Sequence, residues 1–199
     1  MVISLSRTGL LAQTFWRSPG SRAHCFLACE GVFDYAEPSG HSRITRLAGV
    51  TFPLTEKVDL AEALPGNKLT WRPSPGTRSF AEVFLHVAGE RYGILSMMGA
   101  KPPAGFKARE FEKSTTEKER IVHDLNQSWD FANKTITGMS NADFAKLLPK
   151  LGPQANEGDV VYILVADAHE HLGQLIAYAR QNGIVPPWTV QMGKKKGNG

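Results

Sequence analysis

Six histidines punctuate the chain: His24, His41, His86, His123, His169 and His171. Helical spacing separates them by the company they keep. Val160, Leu164, Asp167, His171, Leu175 and Tyr178 recur at intervals of three and four, which puts them on one face of a helix. That stripe is apolar on either side of Asp167 and His171, so it faces a protein interior. A carboxylate is costly there unless it is paired or bound to a cation, and side chains four apart are close enough to hold one ion together. A second stripe reads Val83, His86, Glu90, Ile94 and Met97, again with a polar pair midway along an apolar face. Glu82 and Glu90 each lie one turn from His86, and either can hold its second ring nitrogen and fix the tautomer.

Facing helices of a bundle build metal sites from such interrupted stripes. The expectation is a divalent-metal site formed by His86, Asp167 and His171. Two imidazoles and a carboxylate suit Zn, Ni, Fe or Mn better than Ca. Three protein ligands leave positions for water or a substrate atom, the pattern of catalytic zinc sites rather than closed structural ones. The site requires the imidazole of His86 to lie within about 8 Å of the side chains at 167 and 171, because metal–ligand bonds are only ~2 Å long. Two plainer readings stay open: His86 as a satisfied core histidine, and Asp167 with His171 as a buried ion pair. The other histidines carry no such argument. His169 shares a face with Tyr162 and Ala166 and reads as exposed, and His123 starts on the charged side of its helix. His24 and His41 fall in an irregular stretch, as do Cys25 and Cys29, which lack the second pair a structural zinc site needs.

The elements that must carry these residues follow from caps and periodicity. A short amphipathic pattern, Leu54, Val58, Ala61 and Leu64, ends at Pro65-Gly66. After a proline-bearing loop, Ser79 and Glu82 form a capping-box signature; the helix it opens runs to about Met98, with Gly99 as its stop. Residues 101–113 read as a loop. Ser114-Thr115-Thr116-Glu117 opens a further helix with the same cap chemistry, its stripe being Ile121/Val122, Leu125, Trp129, Ala132 and Ile136, up to Gly138. A connection with a turn near Asp143–Leu148 leads to the last helix. Glu157 and Asp159 suit its N-terminus, Gly183 caps it, and Pro186-Pro187 ends it. The aromatics Trp71, Tyr92 and Trp129 read as packing rather than a base-stacking platform.

Composition narrows the function classes. The 199 residues are 42% hydrophobic and 21% charged, ordinary for a globular chain. The net charge of +4 sits at the ends: residues 1–49 hold five Arg against three acids, the tail holds Lys194, Lys195 and Lys196, and residues 50–193 hold 15 basic and 16 acidic residues. A nucleic-acid-binding body should carry a basic stripe of its own, so no nucleic-acid partner is expected. No apolar run reaches the ~18–20 residues of a membrane span, and two thiols do not make a disulfide framework; a cytoplasmic protein is expected. Residues 1–49 lack sustained periodicity and read as an irregular extension, disordered or due to a start assigned too far upstream. Residues 50–188 form the domain, and 189–199 a basic Gly/Lys tail.

The residues also resemble a known family. Trp71-Arg72-Pro73 and Pro75-Gly76, then Ser79, Phe84-Leu85-His86-Val87-Ala88 and Tyr92, resemble the loop and second helix of DinB-like proteins. His171-Leu172-Gly173-Gln174-Leu175, with Tyr178-Ala179-Arg180 and Asn182 through Pro187, resembles their last helix and its exit. The resemblance implies an all-α four-helix bundle, here with a short or incomplete first helix. It also implies a divalent metal held by three histidines, one on the second helix and two four apart on the last. His86 and His171 match the outer two; the middle position is Asp167, a departure that bears on metal identity and affinity. Some members are metal-dependent transferases or isomerases that use a low-molecular-weight thiol. By resemblance, then, this chain is a metal-dependent thiol S-transferase or hydrolase acting on a small-molecule substrate, with Glu90 orienting His86 or managing protons. The alternative is a non-catalytic metal-binding or stress-response bundle. A homodimer is compatible with either.

Overall fold

A computed structural model describes residues 54–190. The readings made above for residues 1–49, with His24, His41, Cys25 and Cys29, lie outside the described residues, as does most of the basic tail. Six α-helices are described: α1 Leu54–Ala63, α2 Phe80–Ser96, α3 Ala108–Phe111, α4 Lys118–Thr137, α5 Asn141–Phe144 and α6 Glu157–Gln181. Among the described residues there is no strand, only an isolated antiparallel bridge between Leu147 and Asn156. The described residues form an all-α bundle of the kind the patterning implies, and the first helix described spans ten residues. No described helix is long and apolar enough to cross a membrane.

The central element is α2. It packs against α4, α6 and α3, while α1 closes on α4. A helix surrounded in this way must be apolar nearly all round, and Phe80, Ala81, Val83, Phe84, Leu85, Val87, Ala88, Ile94 and Leu95 are all buried. Only one line of α2 escapes full burial before its last turn: Glu82, His86, Glu90 and Gly93. The polar residues of α2 therefore lie along the single seam its neighbours leave open. They do not sit in the middle of an apolar face.

The start of α2 is set by chemistry legible in the sequence. Ser79 Oγ accepts the Glu82 N–H at 3.3 Å, and the Glu82 carboxylate accepts the Ser79 N–H at 2.7 Å. Glu82 is thereby committed to the cap and to Arg72, 3.1 Å away, so it does not serve His86. The loop before it folds back on the helix: Phe80 N–H donates to Trp71 O and Ala81 N–H to Leu69 O. The Trp71 ring packs edge-on against Tyr178 of α6, 5.4 Å between centroids.

Several elements depart from their sequence patterns. On α1 the buried face is Lys57, Leu60, Ala61 and Leu64, with Val58 only half-buried; the helix is turned so that a lysine faces inward. α4 starts at Lys118, not at the Ser-Thr-Thr run, and Glu117 at its N-cap accepts no side-chain cap bond; instead Thr115 Oγ1 accepts the Glu117 N–H. Its inward positions include Asp124 and Ser128, while Trp129 is only half-buried. The reason is Arg91 of α2, 1% exposed. Its guanidinium needs acceptors, and Leu125 O (3.0 Å) and Ser128 Oγ (2.9 Å) supply them. The loop at 101–113 contains α3, and the turn near Asp143 is α5, capped by Ser140 and Asp143. At the start of α6 the cap is Asn156, boxed with Asp159.

Gly158 stands where α5 meets α6. A Cβ there would come within 2.6 Å of the Phe144 ring and 2.9 Å of the capping Asn156 Oδ1. Overpacking of this kind costs about 1–3 kcal/mol, partly offset by up to about 1 kcal/mol of helix propensity gained over glycine. Gly158→Ala is expected to lower stability by about 1 kcal/mol in urea denaturation, whereas Gly173→Ala, which meets nothing within 4 Å, should be neutral or stabilising.

Candidate metal centre

α2 and α6 bring His86 and His171 face to edge, with ring centroids 4.7 Å apart and planes at 89°. Both point an Nε2 at the same carboxylate: Glu90 Oε1 lies 3.0 Å from His86 Nε2, and Glu90 Oε2 lies 3.7 Å from His171 Nε2. One potential ligand atom from each of His86, Glu90 and His171 lies within 4.8 Å of the others. Tetrahedral ligands at zinc-type bond lengths of about 2.0–2.1 Å sit about 3.4 Å apart, so the trio needs little movement to surround an ion. Among the described residues this is the one such group that could hold a metal.

Asp167 lies one turn before His171 on α6 and is half-exposed. It is outside that trio, yet it is close enough to feel it. Burial first, then the negative charge of Glu90, push its carboxyl above the ordinary value, with His171 and His86 pulling the other way. Glu90, which the sequence pattern offers as a partner for the His86 ring, lies 3.0 Å from His86 Nε2 and faces His171 as well.

The outer nitrogens are held by groups that the pattern of helices does not predict. His86 Nδ1 lies 3.1 Å from Glu112 Oε2. Glu112 ends the turn α3, which closes on α2 where Gly89 removes a side chain: a Cβ there would lie 3.4 Å from the Phe111 ring. His171 Nδ1 lies 3.0 Å from Gln174 Oε1. The Gln174 amide is oriented by its neighbours, because Nε2 donates to Tyr178 Oη (2.9 Å) and that hydroxyl donates to Arg78 O (3.2 Å). Flipping the amide would set its oxygen against a hydroxyl whose proton is already used. Gln174 stands three residues after His171 in the motif quoted above, so helical spacing could have found it. Glu112 lies 26 positions from His86, and no local signal points to it.

Every ring nitrogen of the pair thus faces an acceptor. A neutral imidazole has one N–H and one lone pair, so two neutral rings leave two lone pairs opposed to carboxylate oxygens. A cation on the inner side, protons or a metal ion, resolves this. Electrostatics agree. Burial alone would raise the Glu90 carboxyl, but the bonds and charge of His171 and His86 outweigh it and hold it down to about 2. Burial alone would lower His171, but Glu90 and Gln174 raise it above its ordinary value. The donor set, two imidazoles and a carboxylate with both outer nitrogens anchored, fits a divalent transition metal.

The centre is also reachable. The side chains of His86, Glu90 and His171 are 21%, 20% and 11% exposed, the first two because they stand on the open seam of α2. The remaining histidines stand apart from it: His169 Nδ1 donates to Val165 O, and His123 is 58% exposed beside Asp124.

The model of one protein family, described as the DinB superfamily, matches residues 55–175, a span that takes in α1 through most of α6 and every member of the trio. No curated protein matches the chain.

Proposed function

The chain belongs to the DinB superfamily, and from that premise we propose that it holds a divalent transition-metal ion between α2 and α6 and presents it to a small-molecule thiol. His86, Glu90 and His171 are the proposed first ligands. Asp167 is the proposed further carboxylate, swinging in from one turn away when the ion's charge replaces the repulsion of Glu90. The observation that carries the reading is the set of acceptors around both imidazoles, which calls for a cation at the point where the two Nε2 atoms converge. Zn, Ni, Fe and Mn suit this donor set.

A metal held there would supply Lewis acidity, lowering the pKa of a bound thiol or water. The protein's own residues do the rest. Glu112 and Gln174 fix the imidazole tautomers, and Glu90, held ionised at any physiological pH, presents its carboxylate to the centre. The part-exposed seam leaves room for an exogenous ligand, which favours the thiol-transferase reading over a closed, non-catalytic metal module. The thiol itself rests on the resemblance to DinB-like transferases.

Titrating the protein with Co²⁺ tests both halves. One equivalent should bind with visible d–d bands. Adding a low-molecular-weight thiol should then produce a thiolate-to-cobalt charge-transfer band in the near ultraviolet. Absence of stoichiometric binding sinks the metal reading; binding without any response to thiols leaves the non-catalytic module as the better account.

A further inference from the structure

Beyond the trio, the outer hydrogen bonds of the two histidines run to a common residue. From His86 the path goes to Glu112 Oε2 at 3.1 Å, and Glu112 is gripped by Arg78 through Nε–Oε1 at 2.8 Å and Nη2–Oε2 at 3.3 Å. From His171 it goes through Gln174 and Tyr178 to the backbone carbonyl of the same Arg78. The inner side closes at Glu90. The result is a chain of hydrogen bonds, closed at Glu90 by two ion pairs of 3.0 and 3.7 Å, in which Arg78 joins α6 to the loop carrying Glu112.

We propose that Arg78 is the positioning residue of the metal centre, clasping Glu112 and Tyr178 so that both imidazoles present Nε2 to one point. The proposal rests on the metal reading above and adds to it the element that sets the ligand geometry. Two features of Arg78 suit the task. Its position is fixed, because it directly precedes the capping Ser79 of α2. Its guanidinium is a planar fork that meets both carboxylate oxygens at once, which a lysine cannot do. Glu112 needs such a hold. It follows a helix of four residues, Ala108–Phe111, and one of its oxygens is shared between Arg78 and His86. Without the fork the carboxylate is free to rotate away from Nδ1, and the tautomer of His86 is no longer enforced.

The test measures Co²⁺ affinity and the cobalt d–d spectrum in the full chain for wild type, Arg78→Lys, Arg78→Ala, Glu112→Gln and the double variant Arg78→Ala/Glu112→Gln, with His171→Ala as the reference for ligand loss. Arg78→Ala should weaken Co²⁺ binding about 10- to 100-fold, as loss of a partner behind a metal ligand does, and should shift the d–d bands. Arg78→Lys should recover only part of the loss. The double variant should bind no worse than about the weaker single variant, because both act through the same bond to His86. A merely structural arginine would lower the melting temperature of the metal-free protein without changing the spectrum. If Arg78→Ala does not fold, Glu112→Gln and Arg78→Lys carry the same prediction. Wild-type affinity and spectrum in the Arg78 variants, alongside loss of binding in His171→Ala, would overturn the clasp and leave the metal reading standing. Failure of the wild type to bind Co²⁺ overturns both.

Discussion

His171→Ala is expected to weaken divalent-metal binding by more than about a hundredfold, exceeding the 10- to 100-fold cost of losing a hydrogen-bond partner around a metal site. The substitution removes one of two imidazoles that converge on Glu90 and takes the His171 partner from Gln174 Oε1. His86→Ala should do the same, and Asp167→Ala should do less, because Asp167 stands outside the trio. Isothermal titration with Zn²⁺ and elemental analysis of the purified proteins measure it. Equal metal content in wild type and His171→Ala would exclude the site.

The same centre predicts a pH dependence whose sign can be worked out. The folded-state pKa of His171 is raised above 6.5, so the stability of its pairing with Glu90 is fully present below that value and is lost as pH rises through the raised one. The Glu90 carboxyl is lowered to about 2, so its contribution is present above about pH 4.5 and is lost as pH falls toward 2. The metal-free protein should therefore draw most from the pair between about pH 4.5 and 6.5. A metal competes with the proton on His171; its affinity should fall as pH drops through that raised value and level off above it. In His171→Ala the upper edge of the window should disappear from the melting curves, while His86 still lowers the Glu90 carboxyl.

Lys57→Met is expected to flatten the rise of stability with pH between about 7 and 10.5. Lys57 is 0% exposed. Burial first, then the neighbouring Arg91, lower its ammonium to about 7 from the ordinary 10.5, against the opposing pull of Glu56 and Glu90. Between those two values the unfolded chain binds the proton and the folded chain does not, so wild-type stability on account of this group rises with pH across that interval. Relative to wild type, Lys57→Met should accordingly be most favoured at pH 7 and below, and less so toward pH 10.5. Urea denaturation of both proteins at pH 7 and pH 10 reads it directly. A difference independent of pH would mean that the ammonium is not the costly feature of the site.

The sequence by itself determined the long helices, the cap of α2 and the two histidine-bearing stripes. Periods of 3.6 residues, the Ser79–Glu82 box and Gly99 and Gly183 at positive φ are local features, and local physics decides them. His86 and His171 could be set on stripes that meet because an apolar stripe must face a partner helix. What only the tertiary structure decided is rotation and what the loops deliver. How far α2 turns about its axis depends on which three sides its neighbours cover. That turn left His86 and Glu90 on the open seam, and it put Glu90 rather than Asp167 within reach of both imidazoles. The turn of α1 that buries Lys57 has the same origin. Glu112 and Arg78 come from loops, which have no period to read, and they meet only because α3 closes over Gly89 and the loop before α2 folds back onto the helix. A metal centre needs its atoms placed to within a few tenths of an ångström, and that placement comes from packing between segments far apart in the chain, which no local pattern encodes.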